Sequence, residues 1–305
     1  MGWYLGHRML YSGTSIAGLI VLVFFLARLT GNPVDLYLPI DTPVEVRNAF
    51  SKAHGFDDPL LVQFGRYVLD LLQFDFGMSM RQQRPVLTLV MDAFPTTLAL
   101  SAAAMAVAMA IAIVAGAVAA LRPNGVLDRL VNVISLAGAS LPNFWVALVG
   151  VLVFAVWLRW LPTSGPGGIT HWILPVAVLA IRPCGLIAQV VRGSMISALS
   201  SAYVKTARAK GVPTRRIVFV HALRNAMLPV LTVAGDQAAG MINGAVVIEV
   251  IFGFPGIGKL MIESIQYRDF AMVQGAVIIT AVAIFLLNVI IDLSYAALDP
   301  RIRRT

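Results

Sequence analysis

A single cysteine, Cys184, stands among 305 residues, which excludes a disulfide framework and any thiolate metal cluster. Charge is scarce too. Only 12% of residues are charged and 59% are hydrophobic, where a soluble domain carries about a quarter charged and about half apolar. Acid is missing altogether from the middle of the chain, with no Asp or Glu between Asp128 and Asp236. The histidines His7, His54, His171 and His221 are scattered, so no H-E-x-x-H pair and no cluster of ligands is available, and no carboxylate pair stands beside a nucleophile. There is no acidic tail, Pro-rich linker or low-complexity run. What remains is a membrane composition, with a mean hydropathy of +0.84. The net charge of +8 points to loops on the inner side of a membrane rather than to nucleic acid, because the basic residues lie between apolar runs.

About twenty apolar residues cross a bilayer as a helix, and six runs qualify. They are Met9 to Leu29, Phe94 to Leu121, Leu130 to Leu158, Leu174 to Val191, Ala226 to Phe252 and Met272 to Leu293. The first is preceded by Arg8 alone and lacks an A-x-A site, so it reads as a retained anchor rather than a signal peptide. In the third, "LPNFW" places Pro142 where it should kink or break the helix. Between the first two runs, Thr42, Pro43 and Glu45 read as one helix start, and Asp58 before Pro59 as another. "PLLVQFGRYVLDLL" then sets Leu60, Phe64, Tyr67, Val68, Leu71 and Leu72 on one face, which predicts short amphipathic helices on the outer membrane surface. They either seal the bundle or dock a partner.

Lys and Arg set the orientation. With the N-terminus inside, the inner segments hold Arg8, Arg122, Arg129, Arg301, Arg303, Arg304 and a long loop with Arg192, Lys205, Arg208, Lys210, Arg215, Arg216 and Arg224. The outer segments mix their bases with Asp35, Asp41, Glu45, Asp57, Asp58, Asp70 and Asp75. The bias predicts both termini inside. It also places "GFPGIGKL", Gly253 to Leu260, outside. That stretch has the spacing of a phosphate-binding loop, but Leu260 replaces the Ser or Thr that holds magnesium, and it follows an apolar span rather than a strand. It reads as a Gly-rich turn into a short helix, "KLMIESIQ".

The long inner loop, "SAYVKTARAKGVPTRRIVFVHALRNAMLP", is the most informative stretch. "AYVKTARAK" is a helix that Gly211 and Pro213 end abruptly, and "RRIVFVHALRNAML" begins a second helix leading into the fifth span. Ala207, Ala209 and Gly211 would let the first helix sit deep in a groove. A bland alternative is that the loop only satisfies the positive-inside bias or touches anionic lipid. "YVKTARAKG...HALRNAMLP" closely resembles the EAA loop of ATP-binding cassette importer permeases, in the peptide, opine and nickel branch. "DDPLLVQFGRYV", "FDFGMSM", "RPV", "FPTTLAL", "LPNFW", "RWLPTSG", "VVIEVIFGFPGIGKL", "YRDFAMVQ" and "DLSYAALDPRIR" resemble that branch as well, in order along the whole chain. One departure is Ser201 and Ala202, where relatives usually carry an acid before the tyrosine.

The resemblance implies an all-α polytopic membrane protein with six transmembrane helices and the ABC type I importer permease fold. Residues 1–93 would form the first span and the external amphipathic segment. Residues 94–298 would form the transmembrane domain, with a coupling loop at about 192–225. It further implies that Tyr203, Val204, Lys205, Thr206, Ala207, Arg208, Ala209, Lys210 and Gly211 dock into a cytoplasmic ATPase. The implied partners are a homologous second permease, two ATP-binding subunits and an external solute-binding protein. No cofactor or metal is expected on this chain; ATP and magnesium belong to the ATPases. The solute is left open between a peptide, glutathione and a nickel or other metal chelate, since no His or Cys cluster offers to hold a bare ion.

Polar groups inside spans mark candidate solute paths. These are Arg182 in the fourth span, Asp236, Gln237, Asn243 and Glu249 in the fifth, and Asn288 and Asp292 in the sixth. Arg182 and Asp236 could contact solute or pair as a structural bridge. Gly240 and Gly244 have the small-xxx-small spacing of close helix packing. A self-sufficient secondary transporter or channel would instead need paired, repeat-related carboxylates at mid-membrane, and Asp236 has no such counterpart. A membrane scaffold without transport is the third class.

Overall fold

The computed structural model of the chain describes residues 2–29, 34, 38, 42–53 and 55–298, without the side chains of 2–9, 11, 12 and 292–298. Asp35, Asp41, His54, Arg301, Arg303 and Arg304, and the side chains of His7, Arg8 and Asp292, lie outside the described residues. Helices dominate: α1 (Gly2–Leu29), α2 (Val44–Ala53), α3 (Leu60–Leu72), α4 (Val86–Leu121), α5 (Val126–Ser140), α6 (Asn143–Trp157), α7 (Ile169–Ser200), α8 (Ala202–Ala209), α9 (Thr214–Phe252), α10 (Ile257–Gln266) and α11 (Phe270–Leu298). Two stretches, Val151–Trp157 of α6 and Ile217–Ala222 of α9, are π-helical.

The helices α4, α7, α9 and α11 are each long and apolar enough to cross a membrane. Within α1, the stretch Gly13–Leu29 is apolar but shorter. The third expected span is not one rod. α5 and α6 meet at 104°, and they supply a further span only if the bent pair counts as one. The cause is local: Leu141 (ψ 135°) and Pro142 (ψ 133°) are both extended. Proline holds its predecessor out of the helical region and has no N–H to continue the ladder. The other spans are longer than expected; α7, for example, runs on past Arg192 to Ser200.

The chain divides into two compact units, Met1–Pro95 with Lys259–Leu286, and Thr96–Gly258 with Leu287–Thr305. In the second unit α7 is the hub, packed against α5, α6 and α9. Small residues bring these helices close, as packing in a membrane requires where no hydrophobic drive separates helix from lipid. Ala104, Ala108 and Ala112 of α4 are fully buried. A side chain at Gly116 would lie 2.6 Å from the Ala188 carbonyl, and one at Gly185 2.5 Å from that of Ser135. Around these contacts Leu179, Ile187, Met195, Ile248 and Phe252 close the core.

In the first unit, α3 packs on α1 through Phe64 and Tyr67, whose rings lie 5.3 and 5.4 Å from that of Phe24. The buried face differs from the expected one. Gln63 occupies a buried place, whereas Leu60 and Leu72, at the two ends of the helix, are exposed. Two resembling motifs meet here. Ser79 of "FDFGMSM" donates to Asp269 of "YRDF" at 2.5 Å, and Arg81 lies 3.7 Å over the Tyr267 ring. Asp269 also accepts from the Met272 N–H at 3.3 Å, which caps the start of α11.

Candidate functional site

The basic loop folds as the sequence leads one to expect. Ser201 has extended backbone, and its hydroxyl donates back to Ala198 O at 2.5 Å rather than forward onto α8. The missing acid before Tyr203 therefore leaves α8 without a side-chain cap. Its other end is well closed. Gly211 has φ +72°, its N–H reaches Arg208 O at 2.9 Å, and the Val212 N–H reaches Ala207 O at 3.1 Å. These two bonds make a Schellman motif, whose left-handed residue is best filled by glycine. Pro213 and Thr214 then start α9.

α8 lies on the end of α7 and on the π-helical turn Ile217–Ala222. Val204 is fully buried and faces its own chain. Tyr203, Lys205, Thr206, Arg208, Ala209, Lys210 and Gly211 are exposed, and Ala207 is half-buried. The result is a short basic helix with one apolar anchor beneath and small residues among cations on top.

An ion pair beside this loop escaped the sequence reading. Asp128, only 2% exposed, opens α5 and receives the Arg192 guanidinium of α7 through both nitrogens that face it, Nη2 at 2.7 Å. The Asn124 N–H at 2.8 Å and Asn132 Nδ2 at 3.2 Å complete its shell. Bidentate geometry and backbone donors are what a buried carboxylate needs. The signal was present in the sequence: Asp128 is the last acid before the acid-free stretch, and Arg192 the first base of the loop.

The candidate path residues separate into two groups. Arg182 and Asp236 are not paired; among the described residues no ion pair joins them, and both are exposed. Asp236 instead accepts from its neighbour Gln237 at 3.2 Å. Along α9, Thr232, Asp236, Gly240, Asn243, Val247 and Val250 are all exposed at spacings of three and four, which is one helix face. Gly240 belongs to that open face, with nothing within 4 Å, whereas a side chain at Gly244 would come within 3.3 Å of Leu179. The two glycines thus serve different sides of α9.

Glu249 is the opposite case. Fully buried, it accepts the Gly258 N–H at 2.7 Å as α10 begins, while the Ile257 N–H goes to Thr97 Oγ1 at 2.9 Å. A helix N-terminus is a ready acceptor site, and here the chain's own Glu249 side chain occupies it. A side chain at Gly256 would strike that carboxyl group, and one at Gly258 would strike Val246. Gly256 and Gly258 are therefore required by close packing at the start of α10. Gly253, at φ +67°, ends α9, and the Gly165 N–H of "RWLPTSG" binds Phe252 O at 2.8 Å.

A bundle of apolar helices with a polar face along one span and an exposed basic helix between two spans defines a membrane transport subunit. Comparison with known proteins makes this specific. Residues 108–304 match the family described as binding-protein-dependent transport system inner membrane component. The glutathione transport system permease protein GsiC of Escherichia coli K12 is 37% identical over 284 residues, covering 93% of each chain. The di/tripeptide transport system permease protein DppB of Pseudomonas aeruginosa is 38% identical over 317 residues, covering 94% of each. In fold, a chain of the inward-facing MetNI methionine ABC transporter matches 70% of this chain and 97% of its own, at a TM-score of 0.58 and 16% identity. An amino acid ABC transporter solved with histidines matches at 0.52 and 18%. The chain belongs to the binding-protein-dependent transport system inner membrane component family, and is a permease subunit of an ABC importer in its peptide branch.

Proposed function

We propose that this permease carries a peptide-like solute, a di- or tripeptide or glutathione, inward across the cytoplasmic membrane by alternating access, with both termini on the cytoplasmic side. It does so with a homologous second permease, two ATPases that hold ATP and magnesium, and an external solute-binding protein. The observation that carries the coupling is α8 itself. It is held by Val204 beneath, closed by Gly211, and presents Tyr203, Ala207, Arg208 and Ala209 outward, small enough to enter a cleft and charged enough to orient in it. ATPase closure would draw α8 inward. α7 and the first turn of α9 would carry that movement to the exposed face of α9, where Asp236 and Asn243 line the solute path. A peptide is favoured over a metal chelate because the two relatives above are glutathione and di/tripeptide permeases.

The test is purification of the tagged chain from its native membrane in mild detergent, with mass spectrometry of what accompanies it. An ATPase and a second polytopic permease should appear. A well-folded chain that is repeatedly alone would overturn the reading.

A further inference from the structure

The first unit contains a cavity of about 240 Å3 lined by Arg28, Gln63, Arg66, Tyr67, Asp70 and Asp75, among others. It lies where α1 ends and α11 begins, and so at one surface of the membrane. Gln63 Nε2 donates to Phe56 O at 2.9 Å and to Asp58 O at 2.8 Å. Those two carbonyls fix the amide, so the end left over must be the acceptor, Oε1. Gln63 is 8% exposed, and among the described residues nothing donates to its Oε1 and nothing pairs with Tyr67 Oη. Buried polar atoms are nearly always satisfied, and these two atoms give a ligand that enters the cavity an acceptor and a hydroxyl to bind.

Water would fit, at about eight molecules for such a volume, but the wall is built for something more particular. Asp70 and Asp75 add carboxylates to the lining, and the rings of Phe56 and Phe76 also line the space. Acceptors with aromatic faces recognise an ammonium. Opposite charge is present as well. The Arg28 guanidinium stands 5.0 Å from the Phe24 ring and 5.3 Å from that of Phe56, and Arg66 is held by Asp58 at 2.7 Å. With Arg66 held by Asp58, Arg28 on one part of the wall and Asp70 and Asp75 on another present both signs of charge, which suits a ligand that carries both. The outer side of α3, next to the cavity, exposes Leu61, Leu69 and Leu72, an apolar stripe at the level where lipid headgroups meet acyl chains.

We propose that this cavity binds a small zwitterion with a primary ammonium, held at Gln63 Oε1, Asp70 and Asp75, with its phosphate or carboxylate toward Arg28. An aminophospholipid headgroup and a free dipeptide share that chemistry. The site does not depend on the importer reading.

The test uses the full importer complex in detergent, equilibrated with equal amounts of phosphatidylethanolamine, phosphatidylcholine and phosphatidylglycerol, with retained lipid counted by native mass spectrometry. Phosphatidylcholine keeps both charges but has no N–H, and phosphatidylglycerol has no amine. Charge-assisted hydrogen bonds from the ammonium should favour phosphatidylethanolamine by about tenfold or more. Gln63→Leu should remove that preference, and Asp70→Asn, which keeps the size and leaves both Gln63 amide bonds in place, should weaken it. A parallel arm adds alanyl-alanine: binding of the dipeptide with no lipid preference, lost in Gln63→Leu, assigns the free zwitterion. Equal retention of the three lipids with no dipeptide bound overturns the proposal. So does a preference unchanged in Gln63→Leu. Uptake by the same variants is measured separately, so failure of the cavity proposal and failure of the transport reading remain distinct.

Discussion

Gly211 offers the sharpest test of how α8 works, because its two possible roles separate by substitution. Its φ of +72° lies in the left-handed region, where a side chain costs about 1–2 kcal/mol. That cost falls on an eight-residue helix with one fully buried side chain, and should reduce the correctly closed population by about 5- to 30-fold. Yet a Cβ at Gly211 would meet nothing within 4 Å in this chain, so its own fold sets no limit on size. Three variants follow. Gly211→Ala carries the backbone cost alone. Gly211→Asn tolerates the left-handed region and should be milder than Ala if the backbone is all that matters. Gly211→Trp adds bulk that only a docked partner would feel. Uptake of labelled dipeptide into proteoliposomes, normalised to permease in the membrane and read beside ATPase turnover, should fall by the backbone factor in Ala. It should vanish in Trp, with transport uncoupled from ATP hydrolysis. Trp with undiminished uptake would refute docking at this position, and Ala as severe as Trp would show that the turn, not the partner's cleft, sets the effect.

Other expectations follow from the rest of the structure. Arg192→Met leaves the buried Asp128 carboxylate without its cation and Asp128→Asn removes the bidentate ion pair, so each should lower the melting temperature of the complex, the first by more. The double variant should recover part of the loss, and a double no better than the worse single would show the pair to be idle. Glu249→Gln disturbs the buried acceptor that holds the Gly258 N–H at the start of α10 and should destabilise the permease by about 1 kcal/mol, seen as earlier thermal unfolding. No change would mean the carboxylate adds nothing there. Gly185→Val should expel α5 from α7, because the Cβ already meets the Ser135 carbonyl at 2.5 Å; overpacking costs about 1–3 kcal/mol, and permease levels in the membrane should drop. Asp236→Asn should alter the relative uptake of cationic and neutral dipeptides at unchanged protein level if the exposed face of α9 lines the solute path, and an unchanged ratio would remove Asp236 from it.

Patterns that repeat locally were legible in the sequence. Apolar length gave α4, α7, α9 and α11, Pro142 the break between α5 and α6, and Gly211 with Pro213 the end of α8, because each depends on the backbone chemistry of a few adjacent residues. Contacts between distant residues were not. The angle of 104° at Pro142 depends on what α5 and α6 pack against, and a proline says only that the ladder stops. Arg182 and Asp236 invited pairing because both are charged and buried by hydropathy. The structure leaves them apart, and the pair it does form, Asp128 with Arg192, joins residues 64 positions apart. Val204 reads as one of nine residues in a docking stretch, and only packing against α7 and the turn after Pro213 shows that it is the anchor under the others.

The stretch "GFPGIGKL" shows why spacing alone misleads. A phosphate loop and this turn need the same things, glycines that let backbone N–H groups approach an anion at a helix start. The chain satisfies that need from within, by sending Glu249 up from α9 to receive the Gly258 N–H while Thr97 of α4 takes the Ile257 N–H. Lys259 lies 3.8 Å from Glu263 along its own helix, an exposed pairing of small energetic weight. The same local chemistry therefore serves a structural purpose. It fixes the end of α9, the helix whose open face carries Asp236 and Asn243, and a variant that loosens Glu249 should disturb transport through α9 before it disturbs anything else.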